Sequence, residues 1–344
     1  MNPITDLVEQ LDLATPWTYI GLFLAASLVM IWRLDAMGKS GLEGTALGTV
    51  IMPFCSGLGN LFFVWIVQAD GLPPAEIVTN SLVNNVTNLT LLMGAPALLF
   101  GLSFGQKAKG KSPGRKRASK RASGTSHNAV TAVRLNQLSL LFTLVAGLFF
   151  AGAAWVLSQD GVLSATDGIV LCGGFVFWIC VQVFDVMKYN VHRSRTIPAS
   201  FYLDLLGVIL AALVLYTAID WLVEWLGQLQ SSGGGAGTLG WLSGLLMVVP
   251  NGLIAFYYAA KGQGEVVYAS QVGDGHICIP LCLGLAALIK PVTVPSSFEL
   301  GLGLIVGALV VHVLAVLCFR GLPRAAGCLL VAAYVWFLIS GFAG

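Results

Sequence analysis

Ten apolar runs, each long enough to cross a bilayer, follow one another along this chain. They fall at roughly 17–33, 44–66, 77–102, 136–157, 165–184, 201–226, 237–260, 264–289, 299–319 and 325–343. A membrane helix needs about 20 mostly apolar residues, because each residue rises only ~1.5 Å through a hydrocarbon layer of about 30 Å. Charged residues make up 10% of the sequence, against about 25% in soluble domains. Hydrocarbon leaves backbone polar groups no partner but the chain itself, so spans of this length must be helices. The sequence therefore predicts an all-α membrane protein with ten transmembrane helices. Its net charge of +2 carries no implication of nucleic-acid binding, since the basic residues are not spread over a folded surface.

Loop charges sort these spans. With the N-terminus outside, seventeen of the eighteen Lys and Arg residues fall in inner loops, and only Lys290 lies outside. Cytoplasmic loops carry such an excess. A wrong span count would scramble the sorting, so it supports ten spans with both termini outside. Residues 1–16 contain Asp6, Glu9 and Asp12 and no basic residue, unlike a secretory signal. The first span is therefore expected to be retained, and the location to be a bacterial-type inner (plasma) membrane.

Residues 105–135, GQKAKGKSPGRKRASKRASGTSHNAVTAVRL, are rich in Lys, Arg, Gly and Ser with no apolar period. They read as a disordered cytoplasmic loop. It serves as a topology anchor, or it touches anionic lipid headgroups. The seven cysteines, at 55, 172, 180, 278, 282, 318 and 328, all lie in apolar runs. They read as buried free thiols rather than a disulfide framework.

The chain also matches itself. NNVTNLTLLMGAPALL (84–99) aligns without gaps on DGHICIPLCLGLAALI (274–289), placing Gly94 on Gly284, Ala97 on Ala287 and Leu98 on Leu288. MPFCSGLGNLFFVW from Met52 aligns on VPNGLIAFYYAA from Val249, placing Pro53 on Pro250. Spans 2 and 3 thus correspond to spans 7 and 8. An odd number of spans separates the copies, so they cross the membrane in opposite senses. Inverted repeats of this kind mark secondary transporters, with the site at the repeat interface near the midplane. The first half comprises 1–104, with spans 1–3 and repeat 1 at 44–102, and spans 4–5 at 136–184. The second half, 201–344, holds spans 6–10 with repeat 2 at 237–289.

Pro53 and Pro250 are expected to break their helices and free carbonyls that a cation could use; ordinary kinks are the alternative. Asn80, Asn84 and Asn88 share one face of span 3 by i, i+4 spacing, and the aligned residues are Ser270, Asp274 and Cys278. Amide oxygens are neutral hard ligands, although Asn and Ser also join membrane helices by hydrogen bonds. Asn85 and Thr87 add polarity nearby. Asp274 is the most informative residue, because a charge at the bilayer centre costs about 2.5–3.5 kcal/mol on insertion scales. Loss of water favours its neutral form, so it could exchange a proton for a cation. Asp204 sits at the inner end of span 6, and Asp220 and Glu224 near its outer end. His276 and His312 read as hydrogen-bonded structural histidines. His276, Cys278 and Cys282 form only a weak soft-metal signal.

These residues resemble the cation/Ca²⁺ exchanger superfamily, which includes the Na⁺/Ca²⁺ exchangers. The resemblance implies ten spans, outward termini and two inverted repeats. In each repeat a Gly-Thr-Ser-Leu-Pro-Glu motif is followed, about 24 residues after its proline, by Gly-Ser-Asn-x-x-Asn. Pro250 precedes Asp274 by 24 residues, and VGDGHICI stands where the second motif would be. In the first half VNNVTNL stands there. Asn85 and Asn88 match the motif's asparagines, and Asn84 and Asp274 fall on its serine. The acid that follows the family's proline is Phe54 in repeat 1 and Asn251 in repeat 2, and the second asparagine of repeat 2 is Cys278.

The expected function is secondary active cation transport by alternating access, coupled to H⁺ or Na⁺. Asp274, Asn84 and Asn88 would be the metal ligands, with Asn251, Asn85, Ser270 and Cys278 contributing to the site. The cargo is Na⁺, H⁺, K⁺ or Ca²⁺, with no other cofactor. One carboxylate among amides suits a monovalent cation or a competing proton better than Ca²⁺. The alternatives are a Ca²⁺ antiporter with a rearranged site and a non-transporting, exchanger-like scaffold. Partners are the bilayer and inorganic cations. No nucleophile–base pair is visible, so no enzyme is expected.

Overall fold

The computed structural model describes residues 14–39, 52–103, 123–190, 199–231 and 238–343. Spans 1–5 are α1 (Pro16–Lys39), α2 (Met52–Ala69), α3 with α4 (Ala75–Leu89 and Leu91–Phe100), α5 (Ser123–Leu157) and α6 (Ala165–Asn190). Spans 6–10 are α7 (Ala199–Ser231), α8 (Thr238–Ala260), α9 (Gly264–His276) with a π-helical segment (Ile277–Cys282) and α10 (Leu283–Ile289), α11 (Phe298–Phe319) and α12 (Arg324–Ala343). Among the described residues nine helices are long and apolar enough to cross a membrane, and Gly57–Ala69 is a shorter apolar helix. That shorter helix belongs to span 2, whose expected beginning at 44–51 lies outside the described residues.

Burial separates the spans into two classes. Span 3 is 78% buried, span 8 is 72% and span 7 is 61%, against 22–39% for the other long spans. The buried class carries the amides and the acid. The exposed class shows large apolar side chains outward, such as Phe149, Phe177 and Phe319, as lipid-facing helices must.

Both buried broken spans have a local cause. Thr87 and Thr90 turn their hydroxyls back to Val83 O and Val86 O, a bond that bends helices. α3 ends at Leu89 and α4 begins at Leu91, with φ −106° and ψ −69° at Thr90 between them. In span 8 Pro280 lies within the π-helical segment. It has no N–H to donate, so the α-ladder cannot run through it and the chain takes a wider turn. Thr90 and Pro280 occupy matching positions in the internal alignment. The expected break at Pro250 is not where the discontinuity of its half falls. Pro250 sits inside α8, which runs unbroken from Thr238 to Ala260. Pro53 is the second residue of α2, and residues 40–51 before it lie outside the described residues, so the expected break at Pro53 falls there.

Helix α1 packs along α7 and α5 along α11, α3 packs on α8, α4 on α12, and α10 on α6. The last two contacts rest on glycine. A Cβ on Gly94 would lie 2.9 Å from Gly327 O of α12, and a Cβ on Gly168 of α6 would lie 2.7 Å from Gly284 O of α10. Small residues let membrane helices approach this closely. Two short antiparallel pairs close the helix ends. β1 (Leu102–Ser103) pairs with β4 (Gly321–Leu322), and β2 (Val162–Leu163) with β3 (Val292–Thr293).

The 105–135 segment was expected to lack structure throughout. Its residues from 123 onward instead belong to α5, which at 35 residues is far longer than the expected span 136–157. Nothing after Gly124 in this stretch breaks a helix, so the span's helix extends at little cost per residue. Residues 104–122, which hold most of its basic residues, lie outside the described residues. The cysteines are free among those described, but only Cys278 and Cys282 are buried; Cys180, Cys318 and Cys328 are exposed on lipid-facing helices.

Candidate functional site

α2, α3, α8 and α9 converge on one buried polar cluster. At its centre Asp274 is 0% exposed. Asn88 donates to its Oδ2 at 2.6 Å, and Asn251 donates to the same oxygen at 3.1 Å. Asn88 also donates to Asn84 Oδ1 at 2.8 Å, and Asn84 donates to Asn60 Oδ1 at 3.3 Å. Asn251 reaches Asn88 Oδ1 at 3.4 Å. The Cys278 sulfur lies 3.8 Å from Asn84 Oδ1 and 4.0 Å from Asp274 Oδ2. Four spans, two from each half, therefore contribute to a single network with one carboxyl group.

Its geometry follows from helical spacing. Asn84 and Asn88 stand one above the other on α3, as do Asp274 and Cys278 across the junction of α9 and the π-helical segment. Asn251 follows Pro250, and its backbone carbonyl accepts from Gln271 Nε2 at 3.2 Å. A small cavity of about 20 Å³, room for a water molecule, runs from Asn251 and Pro250 between Gly59, Phe23, Ser27 and Met30. It joins the cluster to the α1–α7 pair.

Most expected site residues meet here: Asp274, Asn84, Asn88, Asn251 and Cys278. Asn85 borders the cluster and Ser270 does not join it. Asn85 is one residue, about 100° of helix, past Asn84; its amide donates to Ser81 O at 2.7 Å, its side chain also contacts Cys278, and it lines a cavity with His276. Ser270 is one turn before Asp274, where it donates to Val267 O and accepts from Gln271. Asn80 forms a neighbouring cluster instead, donating to Ser243 Oγ at 3.0 Å beside Met247 Sδ at 3.6 Å. Asn60 and Gln271 were not anticipated. Asn60 is a single amide within an apolar run, and Gln271 stands between Ser270 and Asp274; neither falls on a position that the internal alignment or the motif singles out.

Phe54, in place of the family's acid, packs edge-on against Phe175 of α6. Pro53's side chain lies outside the described residues. The histidines are hydrogen-bonded: His312 Nε2 to Leu89 O at 2.8 Å and Nδ1 to Tyr268 OH at 3.1 Å, and His276 Nε2 to Thr143 O at 3.1 Å. Asp204 pairs with Arg33 at 3.2 Å, joining α7 to α1. Asp220 and Glu224, with Asp70, line an open cavity of about 540 Å³ at the other end of α7. Among the described residues no three His, Cys, Asp or Glu side chains converge on one point as metal ligands.

Residues 203–342 match the family model described as sodium/calcium exchanger protein. No curated protein matches the chain by sequence. Among solved structures the chain resembles the sodium-calcium exchanger NCX_Mj. Against the form soaked with 10 mM Na⁺ and 10 mM Sr²⁺ the TM-score is 0.67 at 14% identity, covering 94% of this chain and 97% of that one. Against the form soaked without Na⁺ and Ca²⁺ it is 0.65 at 15% identity, covering 94% and 98%. The second half thus matches a sodium/calcium exchanger family model, and over nearly its whole length this multi-pass helical chain has a fold similar to that of NCX_Mj.

Proposed function

We propose that this protein is a secondary active cation transporter that works by alternating access, with its cation site centred on Asp274. The observation that carries this reading is the buried carboxylate held by amides from three other spans, Asn88 and Asn251 directly and Asn60 through Asn84. An acid so placed in a membrane protein faces an ion path as a rule. The two amides that donate to Oδ2 carry oxygens on the same carbon. A half-turn about the Cβ–Cγ bond replaces each N–H donor with a carbonyl ligand. The cluster thus has one arrangement that satisfies the bare carboxylate and another that coordinates a cation beside it. Gradients of H⁺ or Na⁺ supply the coupling.

The two halves act as inverted repeats about this site. Supporting this, spans 3 and 8 are interrupted at aligned positions, and the Gly94–Gly327 and Gly168–Gly284 contacts correspond when the halves are exchanged. So do the two strand pairs. The sorting of basic residues into alternate loops supports an orientation with both termini outside. Loss of both repeat acids, to Phe54 and Asn251, leaves one carboxylate. That favours a monovalent cation or proton over Ca²⁺ as the hard-ion cargo. The same loss would also fit a scaffold that no longer transports.

Flux in proteoliposomes tests the reading. Na⁺, K⁺ and Ca²⁺ uptake would be measured against pH and Na⁺ gradients for the wild type and Asp274→Asn. Wild-type flux that disappears in the variant is expected. Flux that survives in Asp274→Asn excludes the site. No flux of any of these ions from folded wild-type protein points to the scaffold.

A further inference from the structure

We propose that Cys278 is a second, conditional acid of this site and selects soft divalent cations, of the Cd²⁺ and Zn²⁺ class, over Ca²⁺. The inference rests on the cation-site reading above and deepens it.

A divalent ion leaves a net positive charge beside one carboxylate, which buried amides cannot cancel. A second anionic ligand is needed, and the positions that could carry a carboxylate hold Phe54 and Asn251. Next to the carboxylate the remaining acidic group is the Cys278 thiol, which the Cys282 thiol contacts one turn further on. Cys278 is fully buried and free of disulfide. Its sulfur lies 4.0 Å from Asp274 Oδ2 and 3.8 Å from Asn84 Oδ1. Those separations suit a shared ion. With metal–sulfur and metal–oxygen bonds of about 2.3 and 2.1 Å at a tetrahedral angle, sulfur and oxygen stand about 3.6 Å apart. A larger soft ion widens the gap further. Small shifts of one side chain therefore bring sulfur, carboxylate and amide oxygen onto one cation.

Sulfur makes the selection. Thiolates bind soft and borderline ions strongly, and hard ions such as Ca²⁺ prefer oxygen. In the binding step the S–H bond breaks, an S–metal bond forms, and the proton leaves to solvent. No electron is transferred. Only a soft ion repays the loss of that proton, so Cys278 stays a neutral thiol for Na⁺ or Ca²⁺ and becomes an anion for Cd²⁺ or Zn²⁺. With Asp274 it then neutralises the divalent charge. Two charged ligands and some amides hold a metal less tightly than the four thiolate or imidazole ligands of a structural zinc site, as a cargo that must leave requires. Met247 Sδ, beside Asn80 two turns along α3 from Asn88, places a further soft donor on the same polar seam.

Cd²⁺ alone is the probe. Purified full-length protein would be titrated with Cd²⁺, following sulfur-to-metal charge-transfer absorption in the ultraviolet, and Cd²⁺ and Ca²⁺ uptake would be compared in proteoliposomes. The variants are Cys278→Ser, Cys278→Asn to copy the repeat-1 residue, Cys318→Ser as a lipid-facing control, and Asp274→Asn. The wild type and Cys318→Ser are expected to show the absorption band and to prefer Cd²⁺. In both Cys278 variants the band should disappear and Cd²⁺ affinity fall by roughly tenfold or more. An unchanged band or unchanged Cd²⁺ preference in Cys278→Ser overturns the inference while leaving the Asp274 site standing. Cation binding unaffected by Asp274→Asn overturns the site itself, and the inference with it.

Discussion

Asp274 Oδ2 accepts from neutral donors on two other spans. Carboxylates at a helix surface in water need no such arrangement, but here the alternative to an amide is hydrocarbon. The stabilising share of each amide differs. Asn88 makes three contacts, to Asp274, Asn84 and Asn251, so its removal strips the shortest bond from the carboxylate and leaves three polar groups short of a partner. Unpaired buried polar groups cost about 1–3 kcal/mol each. Asn88→Ala is therefore expected to lower the thermal midpoint of the detergent-solubilised protein more than Asn80→Ala, whose partners Ser243 and Met247 are less demanding. Thermal melts of both variants with and without saturating cation check this. At a concentration of 100 times Kd a bound cation adds about 2.7 kcal/mol, and Asn88→Ala should lose most of that protection. Equal melting points in the two variants would remove Asn88 from the site's centre.

At the scale of elements, the apolar runs made the spans legible, because a bilayer sets their length. The i, i+4 row of asparagines and the acid aligned with it made most of the site legible too. Asn85 borders the cluster through Cys278 rather than through Asp274, because a sequence motif counts positions while a helix counts angle. One residue is about 100° of rotation, and α3's face toward Asp274 was already fixed by Asn84 and Asn88. Asn60 and Gln271 were invisible as site residues for a different reason: an amide outside the aligned positions gains a role only when the neighbouring helix is known. The break at Pro280 was passed over in favour of Pro250. A proline in a long α-helix can be absorbed with one lost hydrogen bond, as in α8, whereas Pro280 takes a wider turn. The glycine contacts belong to this scale as well. Gly284→Val would push a side chain onto Cys172 N at 3.1 Å and Gly168 O at 3.2 Å, and overpacking of that kind costs about 1–3 kcal/mol. Gly303→Val, on α11 with nothing within 4 Å, should change stability by less than about 0.5 kcal/mol. Melting both variants in the same detergent separates a close helix crossing from a lipid-facing glycine; equal losses would contradict the α10–α6 contact.

At the scale of the whole molecule, the two strand pairs constrain topology in a way that hydropathy cannot. Each pair ties together chain segments far apart in sequence, and hydrogen-bonded segments must lie on the same side of the membrane. Ser103 therefore shares a side with Gly321, and Val162 with Val292. In a ten-span chain, Ser103 follows span 3 and Gly321 follows span 9, both odd. Val162 follows span 4 and Val292 follows span 8, both even. The pairings and the span count agree, and one span too many or too few between the paired segments would put partners on opposite sides. The pairings do not say which side is which; the proposed orientation rests on the basic loops. Arg320 and Arg324 flank β4, and Lys261 lies between α8 and α9, on the side that the positive-inside rule makes cytoplasmic. Single cysteines introduced at Asp160 and Lys290, in a background with the seven native cysteines replaced and transport retained, should react with a membrane-impermeant thiol reagent added outside intact cells. Cysteines at Ser103 and Lys261 should react only after the membrane is opened. Labelling of all four from the same side would break the ten-span count. The reverse pattern would keep the count and the fold but invert the molecule, and with it the direction of the proposed transport.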